Sequence, residues 1–346
     1  MRVVVAPDSF GGTLTAVQAA AAIVAGWREV ARADDLAPVP MSDGGPGFVD
    51  VLHASVGGRL VDVDVSDPLG RTVRAQFLVE RKTAYVESAQ ACGLHLMRPD
   101  ERDPMRATTR GVGQLLLAAS DTPVDRLVVG LGGSGTNDGG RGMWEVLGGV
   151  APHAALAAAT DVDNPLLGPN GATAVYGPQK GADRAMVLDL DDAMRTWADE
   201  VETAVGKPGL RDQPGAGAAG GLGFALLALG ATRASGFGVI AEAVQLEARI
   251  ATADLVVTGE GSFDAQSLRG KVPTGVARLA QAHGVPCIVL AGQAEVGRRD
   301  AAAAGIEEVH SVAETLGSVD AAIAAGAAGV RRTAAAVARM WSGGAG

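Results

Sequence analysis

Four times in this chain an uncharged apolar run stops at a glycine-rich loop that carries an acid or a hydroxyl. Val3–Ala6 runs into "PDSFGG", Leu36–Met41 into "SDGG", Leu127–Val129 into "GLGGSGTND" and Leu255–Val257 into "TGEGSFD". Alanine-rich, helix-forming sequence lies between such runs. Strands that are apolar throughout, rather than alternating, have both faces covered. Alternation of such strands with helices specifies a parallel α/β sheet. The notable restriction is therefore on architecture: this is a layered α/β chain, not a bundle or a sandwich.

Local signals place the elements. Thr15-Ala16-Val17-Gln18 fits a capping box, in which a hydroxyl and an amide satisfy the first helix N–H groups. Val17, Ala20, Val24, Trp27 and Ala31 follow at three- and four-residue steps and predict one helix face. "SDGGPGFVDVLHA" predicts a helix from about Val49, "VPCIVLAG" a further strand, and Glu307–Val312 a weaker one. The middle of the chain reads differently. Val61–Val65 and Val73–Val79 flank the turn sequence "SDPLGRT" and predict a hairpin, with "TAYVES" the next strand. "PGAGAAGGLGFALLAL" predicts the opening of another helix. The expectation is an α/β domain built from both chain ends, residues 1–65 and 241–346, with an inserted α+β domain at 66–240.

Composition narrows the function. At 346 residues one large or two medium domains are expected, and 47% hydrophobic content suffices for their cores. Aromatics are 3% and the net charge is −10, which argues against base stacking and a phosphate-backbone partner. The two cysteines, Cys92 and Cys287, have no metal-type spacing and suit a reducing cytoplasm. The N-terminal apolar run is too short for a signal sequence. The longest uncharged stretch, Gln213–Thr232, is broken by Pro214 and six glycines, so no membrane partner is expected. Only four of the 29 basic residues are lysines: Lys82, Lys180, Lys207 and Lys271. Lys180 and Lys271 stand beside glycines, where a compact ammonium can serve a phosphate or carboxylate.

The glycine loops carry the chemistry. Gly130-x-Gly132-x-x-Gly135 and Gly215-x-Gly217-x-x-Gly220 match a dinucleotide fingerprint. Neither has the full context: the first lacks an acid on a clear second strand, and the second does not follow a strand. No phosphate-binding P-loop occurs. What recurs is Asp8/Ser9, Ser42/Asp43, Ser134/Thr136/Asn137/Asp138 and Glu260/Asp264, each in a loop after a strand. Glycine lets backbone N–H groups approach an anion, and a following helix N-terminus adds a favourable field. Phosphoryl transfer needs such donors, carboxylates for Mg²⁺, and an acid to accept the hydroxyl proton. The five histidines are scattered and receive no role.

Taken in order, the motifs resemble the type I glycerate kinases over nearly the whole chain. They are "VVVAPDSF", "DGG" at Asp43–Gly45, "DPLG" at Asp67–Gly70, "RATTRGVG", "GLGGSGTNDGGRGM", "DVDNPLLG", "GPQKGA", "PGAGAAGGLG" and "VVTGEGSFDAQSLRGKVPTGVA". The resemblance implies a kinase that uses ATP and Mg²⁺ to convert D-glycerate to a phosphoglycerate, usually the 2-phosphate. It also implies a Rossmann- or flavodoxin-like domain, an inserted domain, and a site in the cleft. Carried onto this sequence, Asp138, Asp264 and Lys271 are the expected catalytic residues. Asp8, Ser9, Gly132, Gly133, Ser134, Thr136, Asn137, Lys180 and Glu260 are the expected substrate- and phosphate-binding residues. Asp43 and Asp161 are the expected metal ligands, and Asp43, Asp138, Asp161 and Asp264 are expected to lie together.

Three positions depart from the family pattern. Gly11 stands where a lysine is usual, Pro46 where an acid is usual, and Ser262 where an arginine is usual. The segment between Gly148 and Asp161 is also shorter than is typical. The expectation is that the lysine and the acid form a buried pair bordered by the arginine, and that the three are dropped as a group. A kinase for another small hydroxy acid, and a non-catalytic ligand-binding protein of the same fold, are the alternative readings. The partners expected are small molecules, and a homo-oligomer is compatible with the chain.

Overall fold

The structure is a computed structural model that describes residues 1–269 and 271–342. The chain forms two compact units. The first comprises Met1–Ser42, Asp50–Val56 and the chain from Phe237 onward; the second comprises Asp43–Val49 and Gly57–Gly236. Apart from Asp43–Val49, the second unit is thus continuous over 57–236, against the expected 66–240. The reason is pairing: Arg59–Ser66 lies antiparallel to Thr72–Glu80 from Arg59 opposite Val79 to Ser66 opposite Thr72. The predicted hairpin is present, and both its strands belong to the insert.

In the first unit five strands form one wholly parallel sheet. Across the sheet they run Asp35–Pro38, Arg2–Pro7, Leu255–Gly259, Cys287–Ala291 and Glu308–Ser311. Numbered by chain order within the unit, this is 2-1-3-4-5, the flavodoxin-like doubly wound order. The central strands are buried at every position from Val3 to Pro7, Leu255 to Gly259 and Cys287 to Ala291. That is the structural counterpart of runs with no polar alternation.

The helix Ala16–Val30 starts at the predicted capping box. Gln18 N donates to Thr15 Oγ1 at 3.2 Å, and Thr15 N donates to Gln18 Oε1 at 3.0 Å. Its buried residues are Ala16, Ala19, Ala20, Ala22, Ile23, Gly26 and Trp27, which include Ala20 and Trp27 of the predicted stripe, while Val24 and Ala31 are half-buried against the core. Small residues widen the buried face. They let the C-terminal helix Ala327–Trp341 approach so closely that a Cβ on Gly26 would meet Arg331 O at 2.0 Å.

The second unit is built on a six-stranded mixed sheet. Arg59–Ser66, Thr72–Glu80 and Thr83–Glu87 are antiparallel, and Thr83–Glu87, Arg126–Gly130, Ala155–Ala159 and Thr232–Ala234 continue in parallel. Phe77, Leu115, Leu127, Val129, Met143 and Leu222 fill its core. The helix Ala218–Ala228 is broken at its start. Ala219, Gly220 and Gly221 have φ of 51°, 69° and 87°, the left-handed region. Among the described residues no helix is long and apolar enough to cross a membrane.

Candidate active site

An open parallel sheet binds ligands beyond the carboxyl ends of its strands, where the order of connection reverses. In the first unit that point lies between Arg2–Pro7 and Leu255–Gly259, which pair from Val3 opposite Leu255 to Pro7 opposite Gly259. The loops that leave these two strands are "DSFGG" and "EGSFD". Asp8 N donates to Gly259 O at 2.8 Å, and Gly261 N donates to Ser9 O at 3.3 Å, so the loops run side by side. A Cβ on Gly261 would stand 2.8 Å from Gly11 N, and only glycine allows that approach. Asp8 Oδ1 accepts from Ser9 N at 2.6 Å.

Glu260 is buried, and its Oε2 lies 4.0 Å from Lys271 Nζ. Lys271 is the N-cap of the helix Val272–Ala282, whose first turn holds Pro273, and its side chain stays 38% exposed. A half-exposed ammonium at the open end of an eleven-residue helix adds its charge to the positive end of the helix dipole. Asp264 Oδ1 accepts from Gln266 N at 2.7 Å and Ser267 N at 3.3 Å, while its Oδ2 has no hydrogen-bond partner among the described residues. Ser262 Oγ accepts from Gln293 Nε2 at 3.0 Å, so the residue replacing the family arginine is tied into the next loop.

Gly11 and Pro46 are both exposed, and a Cβ on Gly11 would meet nothing within 4 Å. Neither position is a burial site. The expected cost of an unpaired buried charge therefore does not apply at either.

In the second unit the corresponding carboxyl edge carries the loop Leu131–Gly140. The segment Asp43–Val49 is laid against it. A Cβ on Gly132 would meet Gly45 Cα at 2.6 Å, and one on Gly133 would meet Pro46 Cγ at 2.6 Å. Val49 N donates to the buried Glu87 Oε2 at 3.2 Å. Phe48 packs edge-on to Tyr85, with centroids 6.1 Å apart. Asp43 Oδ1 accepts from Gly45 N at 3.0 Å, and Asp43 Oδ2 has no hydrogen-bond partner among the described residues. Asp161 Oδ1 accepts from Ser235 Oγ at 2.7 Å. A Cβ on the next residue, Gly236, would stand 1.8 Å from Asp43 O, so Asp43 and Asp161 meet neighbouring residues of one segment.

Asp138 is engaged differently from the expectation. Its Oδ2 accepts from Thr109 N at 2.8 Å, Thr109 Oγ1 at 2.9 Å, Gly142 N at 3.1 Å and Thr108 Oγ1 at 3.4 Å, and its Oδ1 accepts from Gly140 N at 3.1 Å. Four of these five donors converge on Oδ2 and one on Oδ1. The carboxylate ties together the starts of the helices Arg110–Ser120 and Arg141–Leu147.

Lys180 also differs from an exposed phosphate ligand. It is 1% exposed, and its ammonium donates to Ser134 Oγ at 3.0 Å and Thr136 O at 2.6 Å. Burial pulls its pKa down to about 8, against the opposing pull of Cys92 and Asp138. Burial likewise pushes the Cys92 thiol up to about 12. Asn137 Nδ2 donates to Thr173 Oγ1 at 2.8 Å.

Glu87, Thr109 and the left-handed run 219–221 were not singled out from the sequence. An acid closing the apolar strand "TAYVE" and paired threonines before a helix were the available signals. Among the described residues no group of three or more His, Cys, Asp or Glu side chains is placed to hold a metal ion. A magnesium ion needs only one or two carboxylates when phosphate and water complete its shell. Asp43 and Asp161 are the acids that the second unit brings to the one segment Ser235–Gly236.

A 2-1-3-4-5 parallel sheet with acid- and lysine-bearing glycine loops at its switch point belongs to the doubly wound α/β class of ligand-binding folds. A family model described as the glycerate kinase family matches residues 3–154 and 150–342. A glycerate kinase from Bacillus subtilis is 43% identical over 325 residues, covering 84% of this chain and 85% of that one. The glycerate 2-kinase of Escherichia coli is 38% identical, covering 92% of each. A crystal structure of a protein assigned as glycerate kinase 2 from Salmonella typhimurium LT2 is similar with a TM-score of 0.82 and 36% identity, over 99% of both chains. The chain belongs to the glycerate kinase family, and it is an enzyme of the kinase class.

Proposed function

We propose that the protein transfers the γ-phosphoryl group of ATP to D-glycerate, giving phosphoglycerate phosphorylated at the 2-hydroxyl. The observation that carries this reading is the Glu260–Lys271 pair at the switch point, in front of the N-terminus of Val272–Ala282. Lys271 supplies a cation to the transferring phosphoryl group, and Glu260 holds that cation in place. The Asp8–Ser9 turn and the glycine loop Gly132–Asn137 supply backbone N–H and hydroxyl donors to phosphate and carboxylate oxygens. Asp264 takes the proton of the attacking hydroxyl through its Oδ2. Asp43 and Asp161 would hold Mg²⁺, which when bound neutralises phosphate charge. Loose phosphoryl-transfer transition states leave the protein mainly positioning and electrostatic work, which suits this set.

The test is an ATP-consumption assay with and without D-glycerate, repeated after chelation and restoration of Mg²⁺, with other small hydroxy acids in parallel. Turnover is expected only with glycerate and divalent metal together. Folded protein with no glycerate-dependent turnover overturns the proposal. Turnover with a different hydroxy acid alone transfers it to that acceptor.

A further inference from the structure

Three of the glycine-rich motifs meet at one buried ammonium in the second unit. Lys180 of "GPQKGA" reaches Ser134 Oγ and Thr136 O of "GLGGSGTND". Gly220 of "PGAGAAGGLG" closes the other side: a Cβ there would stand 2.0 Å from Thr136 O and 2.9 Å from Lys180 Nζ. Gly139 N donates to Gly220 O at 3.1 Å, and Gly135 N donates to Cys92 O at 2.7 Å. The loop is thus gripped along its length, and the lysine takes both a side chain, Ser134, and a carbonyl, Thr136 O.

We propose that Lys180 is a positioning residue, an internal cation that fixes the shape of the loop Gly132–Asn137 through Ser134 and Thr136. It acts on substrate only through that loop. The inference rests on the reading of the loop as a phosphate- or carboxylate-binding turn.

The chemistry supports this use of a lysine. A buried ammonium with two hydrogen bonds among the described residues is costly, and a fold that needed only apolar filling would gain by replacing it. Both acceptors belong to the loop, so the ammonium does not brace distant elements against each other through ion pairs. The ionisable groups that act on it are the Cys92 thiol and the Asp138 carboxylate, and Asp138 is itself fastened to two helix starts. The same charge that costs stability sets the hydroxyl of Ser134 as a donor, because a lysine ammonium can only donate to its oxygen.

The experiment compares wild type, Lys180→Met, Lys180→Gln and Ser134→Ala by steady-state kinetics, thermal unfolding and amide hydrogen exchange. Lys180→Met is expected to fold, to exchange faster within residues 131–140, and to lose at least ~10-fold in kcat/KM. Lys180→Gln, which keeps a donor, is expected to recover part of both. Adding Ser134→Ala to Lys180→Met should cost nothing further, because the two act as one unit. Unchanged exchange in 131–140, or exchange raised equally over the whole chain, overturns the proposal. Fully additive losses do so too. If Lys180→Met does not fold, the comparison of Lys180→Gln with wild type decides on the same two criteria. Should wild type show no glycerate turnover, the functional reading fails by itself, and the exchange comparison still tests the role of Lys180.

Discussion

Lys271 and Lys180 share a neighbouring glycine in sequence and differ in everything that follows from burial. Lys271 keeps 38% of its side chain exposed and has Glu260 at 4.0 Å, so its charge is available to an anion. Lys271→Ala is expected to lower kcat/KM at least ~10-fold, about 1.4 kcal/mol of transition-state binding, with little change in melting temperature. Steady-state kinetics and thermal unfolding check both halves. Lys180 loses its proton more easily in the folded chain, about 8 against 10.5. In that window the unfolded chain holds a proton that the folded chain has lost, so this residue makes stability rise with pH. Urea unfolding of wild type and Lys180→Met between pH 7.5 and 9 should show that rise in wild type only. At Gly11 the side-chain space is open and the site exposed, so Gly11→Lys should change stability by no more than about 0.5 kcal/mol. A loss of several kcal/mol in urea unfolding would restore the idea of a buried pair.

At the scale of elements, glycine and alanine decide how closely helices approach. The helix Ala16–Val30 was legible from its capping box, and Ala20 and Trp27 of its predicted face are buried, while Ala16, Ala19, Ala22 and Gly26, which complete that face, were not read. Gly26 is the contact point, with Arg331 O 2.0 Å from where a Cβ would be. Backbone cannot move aside as a side chain can, so Gly26→Ala should separate the two helices at a cost of about 1–3 kcal/mol. Denaturant unfolding with an unchanged m-value would measure it; a stability equal to wild type would show that the helices slide without loss. The hairpin Arg59–Ser66 with Thr72–Glu80 was readable because alternation and a turn sequence are local signals. Its membership of the insert was not readable, since it depends on Thr83–Glu87 pairing beyond it.

Over the whole molecule, burial shifts both thiols in the same direction. Burial raises both Cys92 and Cys287 from 9.0 to about 12. Between those values the unfolded chain has lost protons that the folded chain keeps. Stability contributed by the thiols is therefore complete below about pH 9 and is lost as pH rises towards 12. The Met1 ammonium and the Tyr176 hydroxyl are raised as well, so together with the two thiols they should make unfolding free energy fall above about pH 9. Cys287→Ala should make that fall shallower, and an identical slope in the variant would remove Cys287 from the account. The two units each have their own sheet and core, and Asp43–Val49 crosses from the chain of one into the loops of the other.

The sequence by itself determined what depends on neighbours along the chain. Apolar runs with no polar alternation specified a parallel sheet, glycine loops after strands specified where donors would gather, and nine ordered motifs specified the family. Tertiary structure decided what depends on burial and on who meets whom. Asp138 reads as a loop acid, but its five donors come from residues 108–109 as well as its own loop. Lys180 reads as a loop lysine, but packing by Thr136 and Gly220 closes it off from water. A charge's role follows from its solvation and its partners, and neither is encoded in the few residues on each side of it.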